Sequence, residues 1–136
     1  MITKSKLKKH TYDVINVAIE VHKALGPGLL ESVYHRCMIQ EMKLRGYPFK
    51  SELSVPVEYK GLELNADLRC DFLFADCLVV ELKAVDAIAP VFQAQLLTYM
   101  KLLKKPKGIL INFNVNNIFK EGQQTFVNEL FRDLPG

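Results

Sequence analysis

At 136 residues the chain has room for one hydrophobic core and not for two comfortable ones, so a single domain spanning 1–136 is expected. Hydrophobic residues at 49% and charged residues at 24% argue against disorder, and a net charge of +3 neither demands nor excludes a nucleic-acid partner. The three cysteines, Cys37, Cys70 and Cys77, form no CxxC pair and no zinc spacing, so neither a disulfide framework nor a metal knuckle is supported.

Residues 1–10 are basic and lack the apolar centre of a signal peptide, and no apolar run reaches membrane-spanning length. The expected location is cytoplasmic, with no membrane partner. From about Thr11 to Leu25, apolar residues at Val14, Val17, Ala18, Val21 and Leu25 fall at helical spacing, and Gly26-Pro27-Gly28 stops that helix. A second helix runs from near Leu29 to about Arg45 and ends at Gly46-Tyr47-Pro48. Its first turns carry Glu31 and Tyr34 on one face. An acid at that place also suits the helix dipole, so Glu31 has two readings at this point. His22 and His35 lack partners at metal-site spacing and read as surface or packing residues.

Alternation from Phe49 to Tyr59 predicts one edge strand containing Pro56, with Lys60-Gly61 as a hairpin turn. The next strand ends at Phe74, with Leu68, Cys70, Phe72 and Phe74 on one face and Asp67, Arg69, Asp71 and Leu73 on the other. Ala75-Asp76 leads into a buried strand, Cys77 to Lys83, completing an antiparallel meander. A helix starts near Pro90 and runs to about Lys104, with Gln95 and Tyr99 sharing a face. Gly108 to Phe113 then reads as a buried strand parallel to the one before the helix. Asn116 to Gly122 is a turn region, Gln123 to Val127 a last strand, and Asn128 to Gly136 a short helix or tail. Lysines cluster at Lys4, Lys6, Lys8 and Lys9, and at Lys101, Lys104, Lys105 and Lys107. The second group suits either a helix C-terminus or a phosphate-contacting patch. Together these elements form an α/β fold, a three-layer-like sandwich with a central mixed sheet flanked by helices.

Asp71 to Lys83 is the stretch with chemistry in it. Glu81 and Lys83 lie two apart on a buried strand and point the same way, and Asp71 sits on the strand before. Two carboxylates beside an ammonium can hold a hard divalent cation and serve phosphodiester hydrolysis. The same residues also fit a strand-edge ion pair between Glu81 and Lys83 with Asp71 facing solvent.

Gly28-Leu29-Leu30-Glu31-Ser32-Val33-Tyr34 resembles the naming motif of the GxxExxY proteins, a group within the PD-(D/E)XK nuclease superfamily. Arg69-Cys70-Asp71 followed by Glu81-Leu82-Lys83 is similar to that superfamily's split acidic motif, and Gln95-Leu96-Leu97-Thr98-Tyr99 to the QxxxY helix of its exonuclease branch. The likeness covers about Tyr12 to Val127. It implies a restriction-endonuclease-like αβββαβ core. It also implies Asp71 and Glu81 as ligands of Mg²⁺ or Mn²⁺, with the Leu82 carbonyl as a further oxygen, and Glu31 at the mouth of the site as an additional ligand or as a residue supporting the ligands. Lys83 would act on the attacking water, Gln95 would hold the scissile phosphate or the metal waters, and Tyr34 and Tyr99 would brace the helices around the site. Three departures stand out: Cys70 replaces the proline of the superfamily's name, Phe92 stands where relatives often carry histidine, and Gln123, Gln124 and Thr125 stand where they tend to carry arginine.

The implied function is a Mg-dependent nuclease that hydrolyses phosphodiester bonds of DNA or RNA with a metal-activated water. Nucleic acid, above all DNA, is then the expected partner, and a homodimer the expected assembly. The alternative is a non-catalytic nucleic-acid-binding or assembly module that retains the nuclease scaffold.

Overall fold

Thr3 sets where the fold begins. Its hydroxyl accepts a hydrogen bond from the Lys6 N–H at 3.1 Å and caps helix α1, Lys4–Leu25. The computed structural model describes residues 1–136. Helix α1 is two turns longer than its apolar spacing alone predicts, because the capped first turn lets Leu7 join the buried stripe of Thr11, Val14, Ala18 and Val21. Gly26 and Gly28 take positive φ of 71° and 97° and turn the chain into α2, Glu31–Leu44. Helix α2 buries Tyr34, Met38 and Met42, a single stripe four residues apart.

Five strands form the main sheet: β1 (Phe49–Ser54), β4 (Arg69–Phe74), β5 (Leu78–Lys83), β6 (Lys107–Asn112) and β7 (Gln123–Val127), ordered β1-β4-β5-β6-β7. Only the β5–β6 pair is parallel, joined through helix α3, Pro90–Leu102, so the sheet is mixed and flanked by helices as predicted. A π-helical turn, Ile118–Gly122, leads into β7, and the short α4, Glu129–Arg132, follows it.

The predicted single strand from Phe49 to Tyr59 is instead two elements. The Val55 N–H turns to the Leu68 carbonyl at 2.9 Å and Pro56 has no N–H to give, so β1 stops at Ser54. Strand β2, Val57–Tyr59, pairs with β3, Leu62–Leu64, in a separate hairpin around Lys60 and Gly61, both at positive φ.

Two cores lie on the two faces of the sheet. The larger, under α1 and α2, holds Phe72, Phe74, Leu78, Val80, Leu82, Ile109 and Ile111. The smaller, under α3, holds Cys70, Leu73, Val79, Leu96, Tyr99, Met100 and Leu110. Cys70 therefore does not share a face with Phe72 and Phe74, as simple alternation predicts; it packs with Leu73. The alternation slips one step at Asp71.

Candidate active site

The slip at Asp71 has a visible cause. Strands β4 and β5 pair from Phe74↔Leu78 to Phe72↔Val80, and the ladder stops one step short of the Asp71–Glu81 position. There the Asp71 side chain takes over the role of a ladder acceptor: Oδ2 receives the Leu82 backbone N–H at 2.7 Å. The carboxylate is thus held in the gap between two strands, and the backbone around it can no longer alternate regularly.

Glu81 follows from the other side of the gap. It is only 5% exposed, and its carboxyl stands against that of Asp71, within reach of a shared proton. No donor from the rest of the protein reaches Glu81 Oε1. Burial, then the hydrogen bond and the charge of Asp71, push the Glu81 carboxyl up to about 9. Burial alone would raise Asp71 as well, but hydrogen bonds from His35, Glu81 and the Leu82 N–H outweigh it and hold that carboxyl below its ordinary value.

Glu31 enters from the first turn of α2, and Tyr34 explains how it is aimed. The Tyr34 hydroxyl donates to the Gly26 carbonyl at 2.5 Å and accepts the Leu29 N–H at 3.2 Å, while its ring stacks on Phe113 at 4.4 Å. One buried side chain therefore ties the turn before α2 to the sheet. The Glu31 carboxyl is raised by burial and by the charge of Asp71, with Lys83 and His35 acting the other way, so these four side chains share one field.

Lys83 ends β5 half-buried, its ammonium 4.5 Å from the centre of the Phe92 ring on α3. It makes no ion pair with Glu81, so the strand-edge pair that the spacing also allowed is absent. Just beyond, Asn112 holds the chain that follows Lys83: Oδ1 accepts the Val85 N–H at 3.1 Å and Nδ2 donates to the Val85 carbonyl at 2.9 Å. On α3, Gln95 Nε2 donates to the Tyr99 hydroxyl at 3.1 Å. Tyr99 is raised by burial first and then by the Glu81 charge, and no hydrogen bond joins Tyr99 or Gln95 to the acidic pair.

His35, expected as a surface or packing residue, does pack, and it also reaches the acidic pair. Its Nδ1 lies 3.4 Å from Asp71 Oδ1, Nε2 lies 3.0 Å from Ser51 Oγ, and the ring stacks on Phe72 at 4.4 Å. The available signal was its position four residues after Glu31, which puts both on one face of α2. Glu52 and Arg36 belong to the same place, although no motif in the sequence points to them. With Glu31, Ser32, His35 and Asp71 they line an open cleft of about 470 Å³. Glu52 stands at φ 51° in the register gap between Ser51↔Phe72 and Leu53↔Cys70, opposite Asp71, and nothing local in the sequence marks it.

A hard divalent cation suits this donor set. All three carboxylates offer oxygen, and the buried Oε1 of Glu81 lacks any donor, as a ligand awaiting a cation would. No three His, Cys, Asp or Glu side chains stand together at coordinating distance.

The family model of the PD-(D/E)XK nuclease superfamily matches residues 8–125. Comparison with curated proteins and with solved structures returned no match for either. The matched region includes both helices before the sheet, the strand gap at Asp71 and Glu81, the crossover through α3, and β6. With a five-stranded mixed sheet flanked by helices, and a family match over 8–125, the chain belongs to the PD-(D/E)XK nuclease superfamily.

Proposed function

We propose that the chain is a metal-dependent nuclease in which Asp71, Glu81 and Glu31 hold Mg²⁺ or Mn²⁺ and Lys83 serves the hydrolysis of a nucleic-acid phosphodiester. The observation that carries this reading is the buried carboxyl pair of Asp71 and Glu81, one of whose oxygens has no donor. Two carboxyls this close, one of them almost fully buried, repel each other when both are ionised, and a bound cation would offset that repulsion. When bound, a divalent cation there supplies Lewis-acid polarisation of the phosphate and eases deprotonation of a water.

The chain's own groups do the rest. Lys83, anchored over Phe92, keeps its ammonium beside the acids, where it orients the attacking water and offsets charge that grows on the phosphate oxygens. Water oxygen bonds phosphorus as the bond to the leaving sugar oxygen breaks, and the water's proton passes through solvent to that oxygen. Gln95, braced by Tyr99, offers an amide for the scissile phosphate. DNA is the proposed substrate. A second copy of the chain would supply a second cleft for the opposite strand of a duplex, and sedimentation at high concentration tests that assembly.

The decisive experiment offers single-stranded, double-stranded and branched DNA, and RNA, to the purified protein with Mg²⁺ or Mn²⁺. Cleavage by the wild type that Lys83→Ala and Asp71→Asn abolish supports the proposal. All substrates left intact, with the variants no different, would sink it. One observation favours the alternative of a binding module without turnover: both oxygens of Asp71 already have partners in His35 and the Leu82 N–H. Salt-sensitive binding that survives loss of Asp71 and Glu81, without turnover, is the outcome that reading requires.

A further inference from the structure

The lysines near the start of the chain have no part in the acidic site. Lys107, the first residue of β6, lies five residues before Asn112, which pairs with Lys83; the two ends of that strand are about 16 Å apart. At the Lys107 end, between α1 and the edge strand β7, is a cavity of about 510 Å³. Lys4, Lys8 and Lys107 line it, with Tyr12, Phe119 and Phe131, and no acid does.

The lining combines unpaired positive charge with exposed aromatic faces. None of the three lysines has a carboxylate within ion-pair distance, although Lys9 one residue away pairs with Asp13 at 2.7 Å and Lys105 with Asp76 at 3.3 Å. Tyr12 and Phe119 are large rings left about half exposed, at 49% and 54%, beside those charges. The first N–H groups of α1 are already used, Lys4 bonding the Pro135 carbonyl and Ser5, through both its N–H and its hydroxyl, an oxygen of Gly136, so the positive charge belongs to the side chains. Lys107 is half-buried, and burial together with the Lys8 charge lowers its pKa. An anion would offset the repulsion between Lys8 and Lys107. The volume lies within the usual range for a small organic ligand.

We infer that this cavity is a nucleotide-binding site, with Lys4, Lys8 and Lys107 gripping a phosphate and Tyr12 and Phe119 offering faces to the base. Aromatic rings stack on any base while lysines hold the backbone charge. The phosphate belongs either to a free nucleotide or to a nucleic-acid strand. The inference goes beyond the proposed nuclease chemistry and does not rest on it, since no residue is shared.

Binding measured in EDTA separates the two sites, because neither a metal ion nor cleavage then contributes. The probes are thymidine 5′-monophosphate and a fluorescein-labelled, 5′-phosphorylated octathymidylate. Lys8→Gln combined with Lys107→Gln is expected to weaken the probe that binds by about tenfold or more. It should also lower the salt slope for the octamer by about 1.4, from two lysines at about 0.7 each. Phe119→Ala should weaken binding by about fivefold or more through lost stacking. Lys43→Gln combined with Lys101→Gln removes the same charge from exposed positions on α2 and α3 and should change binding by less than about twofold. Asp71→Asn should leave it unchanged. Equal binding of the two probes identifies a free nucleotide as ligand, and tighter binding of the octamer identifies a strand. The inference is overturned if neither probe binds, or if the control pair weakens binding as much as the cavity pair. Amide shifts in the wild type on adding the monophosphate give a readout that needs no variant: they are expected at Lys107, Phe119 and Thr125, and shifts confined to Asp71 and Glu81 would also overturn it.

Discussion

The Asp71 carboxylate stands in for a strand: its Oδ2 accepts the Leu82 N–H at 2.7 Å where the β4–β5 ladder has ended. One side chain therefore serves structure through one oxygen and faces the cleft with the other. Stability and chemistry are bound to the same residue, and two substitutions can separate them.

Asp71→Ala strips the Leu82 N–H of its acceptor in a largely buried place and is expected to cost about 1–3 kcal/mol in urea unfolding. Asp71→Asn keeps an oxygen there and should lie within about 1 kcal/mol of wild type. Under the proposed function both variants lose cleavage. If Asp71→Asn retains wild-type turnover, the carboxylate's charge is not needed and the catalytic proposal fails with it.

Glu81 predicts a pH dependence. Its carboxyl is raised from 4.5 to about 9, chiefly by burial and then by Asp71, so between those values the folded chain keeps a proton that the unfolded chain releases. Stability of the metal-free protein then falls as pH rises through that window. Asp71 has the opposite sign: its lowered pKa gives stability above the unfolded value that is lost as pH falls through the folded one. Glu81→Gln removes the first effect. Melting curves from pH 5.5 to 8.5 in EDTA should show the variant with a flatter profile than wild type and a higher midpoint at pH 8.5. Added Mg²⁺ should stabilise wild type alone, with release of about one proton per ion near neutrality. Parallel pH profiles for the two proteins would mean that Glu81 is not held protonated.

How far these features could be read beforehand depends on whether their cause is local. The parallel crossover from β5 through α3 to β6 is written in neighbouring residues: an apolar run, a proline at the first turn, a second apolar run. Glu81 could be named because a charge inside an apolar run is conspicuous, and Asp71 because it lies on the strand before it. The slip at Asp71 could not, since it requires knowing that the carboxylate bonds an N–H eleven residues later. The same holds for β1, whose end depends on Val55 meeting Leu68, and for His35, whose partners Asp71, Ser51 and Phe72 come from two distant strands. Asn112 looked like one more strand residue, yet it is buried and fixes the segment after Lys83.

Tyr34 should matter through its hydroxyl more than through its ring. Tyr34→Phe keeps the stack on Phe113 but removes the acceptor of the Leu29 N–H and the donor to the Gly26 carbonyl. A cost of about 1–2 kcal/mol is expected, with faster amide exchange at Leu29. Glu31 follows two residues after Leu29, so under the proposed function turnover should drop while the fold persists. Exchange at Leu29 unchanged from wild type would show that the hydroxyl does not hold the turn.

Gly108 tests how α3 is positioned. A Cβ on this residue of β6 would come within 2.7 Å of Met100 Sδ and 2.9 Å of Leu96 Cδ1, so the helix carrying Gln95 and Tyr99 is seated directly on bare backbone. Gly108→Ala should overpack this face and cost about 1–3 kcal/mol, moving α3 away from the sheet or forcing both side chains into poorer rotamers. A methionine tip yields more easily than a leucine branch, so Met100→Ala in the same chain should recover only part of the loss. Double-mutant thermodynamics measures this directly: the two changes together should cost less than the sum of each alone. Strict additivity would show that Met100 does not obstruct the added methyl group, and that the seating of α3 is set by other contacts.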